Sequence, residues 1–159
     1  MAKEIPMANG HIAIVDDDDF SRVSQFKWQV NTYGYARRTM YNEARIRVDV
    51  KMHRFIAGVT DRSIEVDHRN GNKLDNRKEN LRLCTHSQNM MNRGANRRNK
   101  SGFKGVVKKG DSWEARIAVN KIYKHLGRFP TAELASEAYK QAAIELHGEF
   151  ANTQGKQND

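Results

Sequence analysis

The segment Val66-Asp67-His68-Arg69-Asn70-Gly71-Asn72 and its continuation Asn80-Leu81-Arg82-Leu83-Cys84-Thr85-His86-Ser87-Gln88-Asn89-Met90-Met91-Asn92-Arg93 carry the most specific pattern in the chain. Ile64-Glu65-Val66 reads as a short strand that delivers Asp67 and His68. Asn70-Gly71 signals a turn, because glycine enters the positive-φ region at no steric cost and asparagine bonds its own backbone. A polar loop runs on to Asn80, and Leu81-Arg82-Leu83 reads as a second strand. Thr85 or Ser87 can cap a short helix carrying Asn89, Met90 and Asn92. Two strands about a loop, then a helix, bring Asp67, His68, Asn80 and Asn89 toward one small space.

That cluster suits phosphodiester hydrolysis, which needs a base to activate water and a cation to stabilise charge on phosphate and leaving oxygen. Histidine is the side chain of the group that titrates near neutral pH, so His68 is the candidate base. Asp67 and Asn89 offer hard oxygen ligands, which suit one divalent ion, Mg2+ or Mn2+, with water and phosphate filling the rest of its shell. An amide oxygen in place of an imidazole turns the site away from zinc.

The pattern Asp67-His68, Asn80-Leu81-Arg82, Asn89 resembles the HNH endonuclease family in the variant whose last histidine is asparagine. The gaps of twelve and nine residues from His68 to Asn80 and on to Asn89 agree with that family, as does the upstream His53-Arg54-Phe55. The resemblance implies a ββα-metal motif with His68 as general base, Asp67 and Asn89 holding the metal, and Asn80 bracing the loop and orienting His68. Asn92, one turn later, is a second candidate ligand behind Asn89. His11, His53 and His86 read as structural, with His53 packing behind the site or contacting phosphate.

The rest of the 159 residues agrees with a polyanionic partner. Twenty-eight Lys and Arg against nineteen Asp and Glu give a net charge of +9, a balance that favours nucleic acid. The excess is concentrated: residues 67–100 alone carry nine positive and three negative side chains, whereas 1–30 carry three and five. Cys84 is the sole cysteine, which excludes a disulfide framework and a Cys-rich zinc site. No long apolar run suggests a membrane span and no apolar leader suggests secretion, so the expected location is the cytoplasm, that of a bacterial host if the protein is phage-encoded. Asp16–Asp19 reads as carboxylates that cap a following helix or stay solvated rather than as a metal site. Arg45-Ile-Arg-Val-Asp-Val50 alternates like a strand with a basic face. Around Arg93, Arg97 and Arg98 the chain is polar and glycine-flanked, as expected of a linker lying along phosphates.

Beyond it, strands are expected from Ser101, over Trp113–Val119 and over Ile122–Phe129. Trp113, Ala115, Ile117 and Val119 share one face of the middle strand, and Glu114 and Arg116 the other. Thr131 is placed to cap a helix whose apolar stripe is Leu134, Ala135, Ala138, Tyr139, Ala142, Ala143 and Leu146, with Gly148 closing it. Phe103-Lys-Gly-Val, Trp113-Glu-Ala-Arg-Ile, His125-Leu-Gly-Arg-Phe, Thr131-Ala-Glu and Leu146-His-Gly-Glu-Phe-Ala-Asn152 together resemble the Apetala-type (ethylene-responsive factor) DNA-binding domain. That resemblance implies DNA contacts from Lys104, Lys108, Lys109, Arg116, Tyr123 and His125, to which the charge of the linker adds expected contacts from Arg93, Arg97 and Arg98.

The expected architecture is α+β: an N-terminal ββα-metal HNH nuclease module plus a C-terminal three-stranded antiparallel sheet packed on one helix. Residues 1–93 form the HNH endonuclease domain with its motif at 64–93, 94–101 a basic linker, 102–152 the Apetala-type domain and 153–159 a tail. The expected activity is that of a metal-dependent, homing-type DNA endonuclease, of the kind found in phages, whose C-terminal domain supplies affinity and address. The alternative is a non-catalytic, DNA-binding transcriptional regulator with a relic nuclease motif. The expected partner is double-stranded DNA, bound by a monomer or homodimer, with no membrane and no small-molecule cofactor.

Overall fold

A computed structural model of the chain describes residues 1–96, 99–119 and 122–153. Helices and strands are mixed throughout, and the chain divides into two compact units, Met1–His86 and Ser87–Asp159.

The first unit opens with β1 (Ala2–Pro6) and β2 (Ile12–Asp16), an antiparallel hairpin whose alternate residues Ile5, Ala13 and Val15 are buried. Helix α1 (Asp17–Ser24) follows with Asp17, Asp18 and Asp19 in its first turn, where carboxylates are favoured by the exposed N–H groups and the helix dipole. The aspartates do not cap it through a side chain. Asp16 Oδ2 instead accepts a bond from the Lys78 backbone N–H at 2.7 Å, and buried Asp19 pairs with Arg22 and Lys78. Next come β3 (Gln29–Val30), β4 (Ala36–Tyr41) and β5 (Arg47–Lys51), an antiparallel sheet in the order β3-β4-β5. Helix α2 (Met52–Ala57) packs against β4 and β5. Trp28 and Met52 are the largest members of this core, and Trp28 satisfies its indole N–H on the Val23 carbonyl at 2.9 Å. Burying side chains of this size contributes roughly 1.5–3 kcal/mol each.

β6 (Glu65–His68) and β7 (Leu81–Cys84) form a separate antiparallel pair, with Asp67 opposite Arg82 and His68 opposite Leu81. The first of these strands was expected to end before Asp67; the ladder instead runs through Asp67 and His68, because Arg82 across it supplies a buried counter-charge. The Asn70-Gly71 turn forms, with Gly71 at φ 74°. The loop between the strands is docked on β2: Ile14 N–H donates to the Leu74 carbonyl at 2.8 Å, and Asn76 N–H to the Ile14 carbonyl at 2.7 Å. Helix α3 (His86–Asn92) begins directly after Thr85.

In the second unit β8 (Val106–Lys109), β9 (Ser112–Val119) and β10 (Ile122–Phe129) form an antiparallel sheet in the order β10-β9-β8. The first strand starts at Val106 rather than Ser101, because the Asn99 side chain gathers the Ser101 and Gly102 N–H groups into a turn at 2.8 and 3.2 Å. Helix α4 (Ala132–His147) is capped by Thr131, whose Oγ1 accepts from Leu134 N–H at 3.3 Å. Its buried stripe is Ala132, Ala135, Ser136, Tyr139, Ala143 and His147; Leu134, assigned to the stripe from the sequence, is 50% exposed. Small residues along that stripe let the helix lie on Val106, Ala115 and Ile117 of the sheet. Gly105, at φ 71°, marks the closest approach: a side chain there would overlap the Tyr139 ring and the Arg116 carbonyl.

Candidate active site

Asp67, His68 and Asn80 are all buried in the first unit, in or next to the β6–β7 pair, whereas Asn89 lies on α3 in the second unit. The loop that joins the strands is held by its own side chains. Asn80 donates through Nδ2 to the Asp75 carbonyl at 2.7 Å and accepts at Oδ1 from the Asn70 N–H at 3.0 Å. Asp75 takes two bonds from the Arg77 guanidinium, both at 2.8 Å, a longer one from the Arg77 N–H at 3.5 Å, and one from Asn70 at 3.0 Å. The Arg77 hydrogen bonds hold the Asp75 carboxyl below the usual carboxylate range. Such a network suits a loop that must hold one conformation.

Asn76, which the sequence reading passed over, is fully buried, and its Oδ1 lies 3.3 Å from His68 Nε2. Its Nδ2 donates to the Leu74 carbonyl at 3.1 Å, so the amide cannot turn over without setting two acceptors face to face. His68 Nε2 is therefore the protonated nitrogen, and in the neutral ring the basic lone pair falls on Nδ1. Burial is the largest cause holding the His68 pKa below its ordinary 6.5, against opposing contributions from Asn76 and Asp67. The ring is thus neutral at physiological pH and able to accept a proton.

His53 stacks edge-on to His68 with ring centroids 5.0 Å apart, and Tyr35 completes the group at 5.2 Å from His53 and 6.0 Å from His68. Burial first, then His68, Lys51 and Arg54, push the His53 pKa down to about 2. Unfolding releases a histidine of ordinary pKa 6.5, which takes up a proton that the folded state excludes. Stability is therefore full above pH 6.5 and lost on acidification toward pH 2, by on the order of 1 kcal/mol per pH unit from His53 alone. Urea midpoints measured from pH 7 downward check this; a midpoint that stays flat to pH 5 would show that His53 is not buried neutral.

Asp67 is bound through Oδ2 by Arg82, at 3.0 Å from Nε and 2.8 Å from Nη2. Its carboxylate and the amides around the loop are hard oxygen donors. The buried Cys84 thiol does not join them, since burial pushes its pKa up to about 11. Among the described residues no group of three His, Cys, Asp or Glu side chains is arranged to hold a metal. A cation held at Asp67 would have to draw its remaining ligands from amide oxygens, water and substrate, as magnesium-like ions do.

In the second unit, register sorts the residues expected to meet DNA. Lys109 pairs with Ser112 and His125 with Arg116, which sets Lys109, Arg116, Tyr123 and His125 on the face opposite Ala115 and Ile117. The Arg116 guanidinium lies 4.9 Å from the centre of the Tyr123 ring. Lys108 falls on the other face, opposite Trp113, with its ammonium 5.8 Å from that ring. Lys104 turns inward: Nζ donates to the Met91 carbonyl at 2.5 Å, and burial with nearby Arg93 brings its pKa down to about 8. Arg128, absent from the sequence expectation, joins the Arg116 face opposite Glu114, because an irregularity between His125 and Gly127 shifts the alternation by one. Arg93 is exposed, and Arg97 and Arg98 lie outside the described residues.

Residues 58–91, which contain Asp67, His68, Asn76 and Asn80, match the profile of the HNH endonuclease family. Over 147 residues the chain is 34% identical to an uncharacterised HNH endonuclease of Acanthamoeba polyphaga mimivirus, a match that spans 89% of this chain and 74% of that protein. No solved structure matches it. No helix among the described residues is long and apolar enough to cross a membrane. With the motif's span matching the family profile and the likeness extending over most of both chains, the protein belongs to the HNH endonuclease family and is a nuclease.

Proposed function

We propose that the protein is a metal-dependent DNA endonuclease of the homing type, cutting duplex DNA at a preferred site. The observation that carries this reading is the state of His68: neutral, buried, and held by Asn76 so that Nδ1 is the basic nitrogen. In the proposed reaction His68 Nδ1 takes a proton from the attacking water while Asn80 and Asn76 keep the loop and ring in place. Asp67 would help to hold one divalent ion, Mg2+ or Mn2+, which when bound would stabilise charge on the phosphate and the departing oxygen. Arg82 holds the Asp67 carboxylate in place through its two hydrogen bonds to Oδ2.

Affinity and address are assigned to the Apetala-like second unit, through Lys109, Arg116, Tyr123, His125 and the basic segment at Arg93, Arg97 and Arg98. A sheet face bearing Arg and Lys suits the major groove. A single motif serves one strand, so the monomer nicks and a homodimer breaks both strands.

Supercoiled plasmid carrying DNA from the protein's source provides the test. With Mg2+ or Mn2+ the expected product is open circle, and EDTA abolishes it; direct conversion to linear DNA identifies paired active sites. Binding without conversion in either metal would instead establish the DNA-binding regulator with a relic motif.

A further inference from the structure

We propose that the outer face of the β3–β4–β5 sheet is a second DNA interface, on the catalytic unit itself, that tracks the phosphate backbone flanking the scissile bond. The register places Arg37, Thr39 and Tyr41 of β4 beside Lys51, Asp49 and Arg47 of β5 on one face. The opposite face carries Ala36, which is 1% exposed, and Arg38, whose guanidinium lies 3.6 Å from the centre of the Phe26 ring; it is the face that meets the core. The outer face is thus left to solvent. Arg47, Asp49 and Lys51 are exposed on it, and Tyr41 is 68% exposed.

Its charge is complementary to a polyanion. Asp49, which stays ionised because Thr39 and Arg37 hydrogen-bond to it, holds Arg37 at 2.7 Å. Arg47 and Lys51 add further cations, as does Lys73 from the β6–β7 loop. The ammonium groups of Lys51 and Lys73 lie 5.2 and 5.3 Å from the centre of the Tyr35 ring.

The face is also continuous with the reacting group, since that same Tyr35 ring is 6.0 Å from the His68 ring. From Tyr35 to Tyr41 the strand runs about 20 Å, the length of roughly six phosphates at ~3.4 Å of rise along one strand of duplex DNA. A strand whose scissile phosphate reaches His68 therefore meets Lys73 and Lys51 first, then Arg37 and Arg47. An exposed tyrosine among cations, as Tyr41 is here, is a further feature of surfaces that meet nucleic acid. This assignment rests on the nuclease reading for its position relative to the cut, but the binding itself is measurable without cleavage.

The test uses the full chain with Arg47→Ala and Lys51→Ala combined, titrated with duplex DNA over a range of KCl. A Lys3→Ala, Lys140→Ala variant that removes the same charge elsewhere is the control. The expected result is about tenfold weaker binding near physiological salt and a logarithmic salt slope shallower by about two. The control keeps the parent slope, and Arg47→Lys with Lys51→Arg restores it. A slope unchanged in the double alanine variant, or lowered equally in the control, overturns the proposal. If the parent binds but does not cut, the nuclease reading fails while the slopes still judge this surface.

Discussion

Replacing His68 with alanine is expected to lower cleavage about 10^2- to 10^4-fold, the usual contribution of a positioned general base, while duplex DNA remains bound. The loss is chemical rather than structural. His68 is hydrogen-bonded to Asn76 and its ring contacts those of His53 and Tyr35, but the loop is held independently by Asn70, Asp75, Arg77 and Asn80. Plasmid conversion measured beside gel shifts separates the two effects. A variant that cuts at the parent rate would remove His68 from the reaction and leave Asn76 holding a structural histidine.

Arg82→Ala is expected to destabilise the first unit by about 3–5 kcal/mol, the usual cost of removing one member of a buried ion pair. Arg82 is 7% and Asp67 8% exposed, and the guanidinium makes two bonds to one carboxylate oxygen. The paired replacement Asp67→Leu with Arg82→Leu is expected to recover most of that stability, since apolar residues of similar volume often replace a buried ion pair at little cost. Cleavage stays lost in the double variant, because no carboxylate remains. Urea unfolding of the single and double variants reads the difference. If Arg82→Ala unfolds at the parent midpoint, the pair is not the buried clamp that its geometry implies.

These two residues also separate what was legible in the sequence from what was not. The Asp67-His68 pair, the Asn70-Gly71 turn and the spacing to Asn80 are local features, visible as residue types at fixed offsets. Thr131 announced its cap in the same way, three residues before the N–H it receives. Asn76 gave no such signal. It is one asparagine in a run of polar residues, and its bond to His68 exists only because β2 holds the loop through Ile14. Arg82 was quoted within a family pattern, yet its role depends on the register that sets it opposite Asp67.

The acidic run shows the same limit. Asp16–Asp19 stands at a helix start, but no aspartate side chain caps it, Asp19 is buried rather than solvated, and the partners of Asp16 and Asp19 include Lys78, 62 residues beyond Asp16. In the second unit the period of two assigned the faces of β9, and small residues at helical spacing located α4. The exchange of Lys108 for Arg128 on the outer face followed from strand register and from one irregularity after His125. Leu134 left the buried stripe because the helix rotates toward its smallest residues, which only the facing sheet selects.

By itself, then, the sequence determined the mixed α and β composition, the basic charge, the elements of the second unit and the motif that makes His68 the candidate base. Those follow from interactions within a few residues and from residue chemistry. The tautomer of His68, the clamp on Asp67 and the composition of the charged sheet faces were decided by tertiary structure. Each depends on register or loop docking between distant segments, where a shift of one residue turns every side chain to the opposite face.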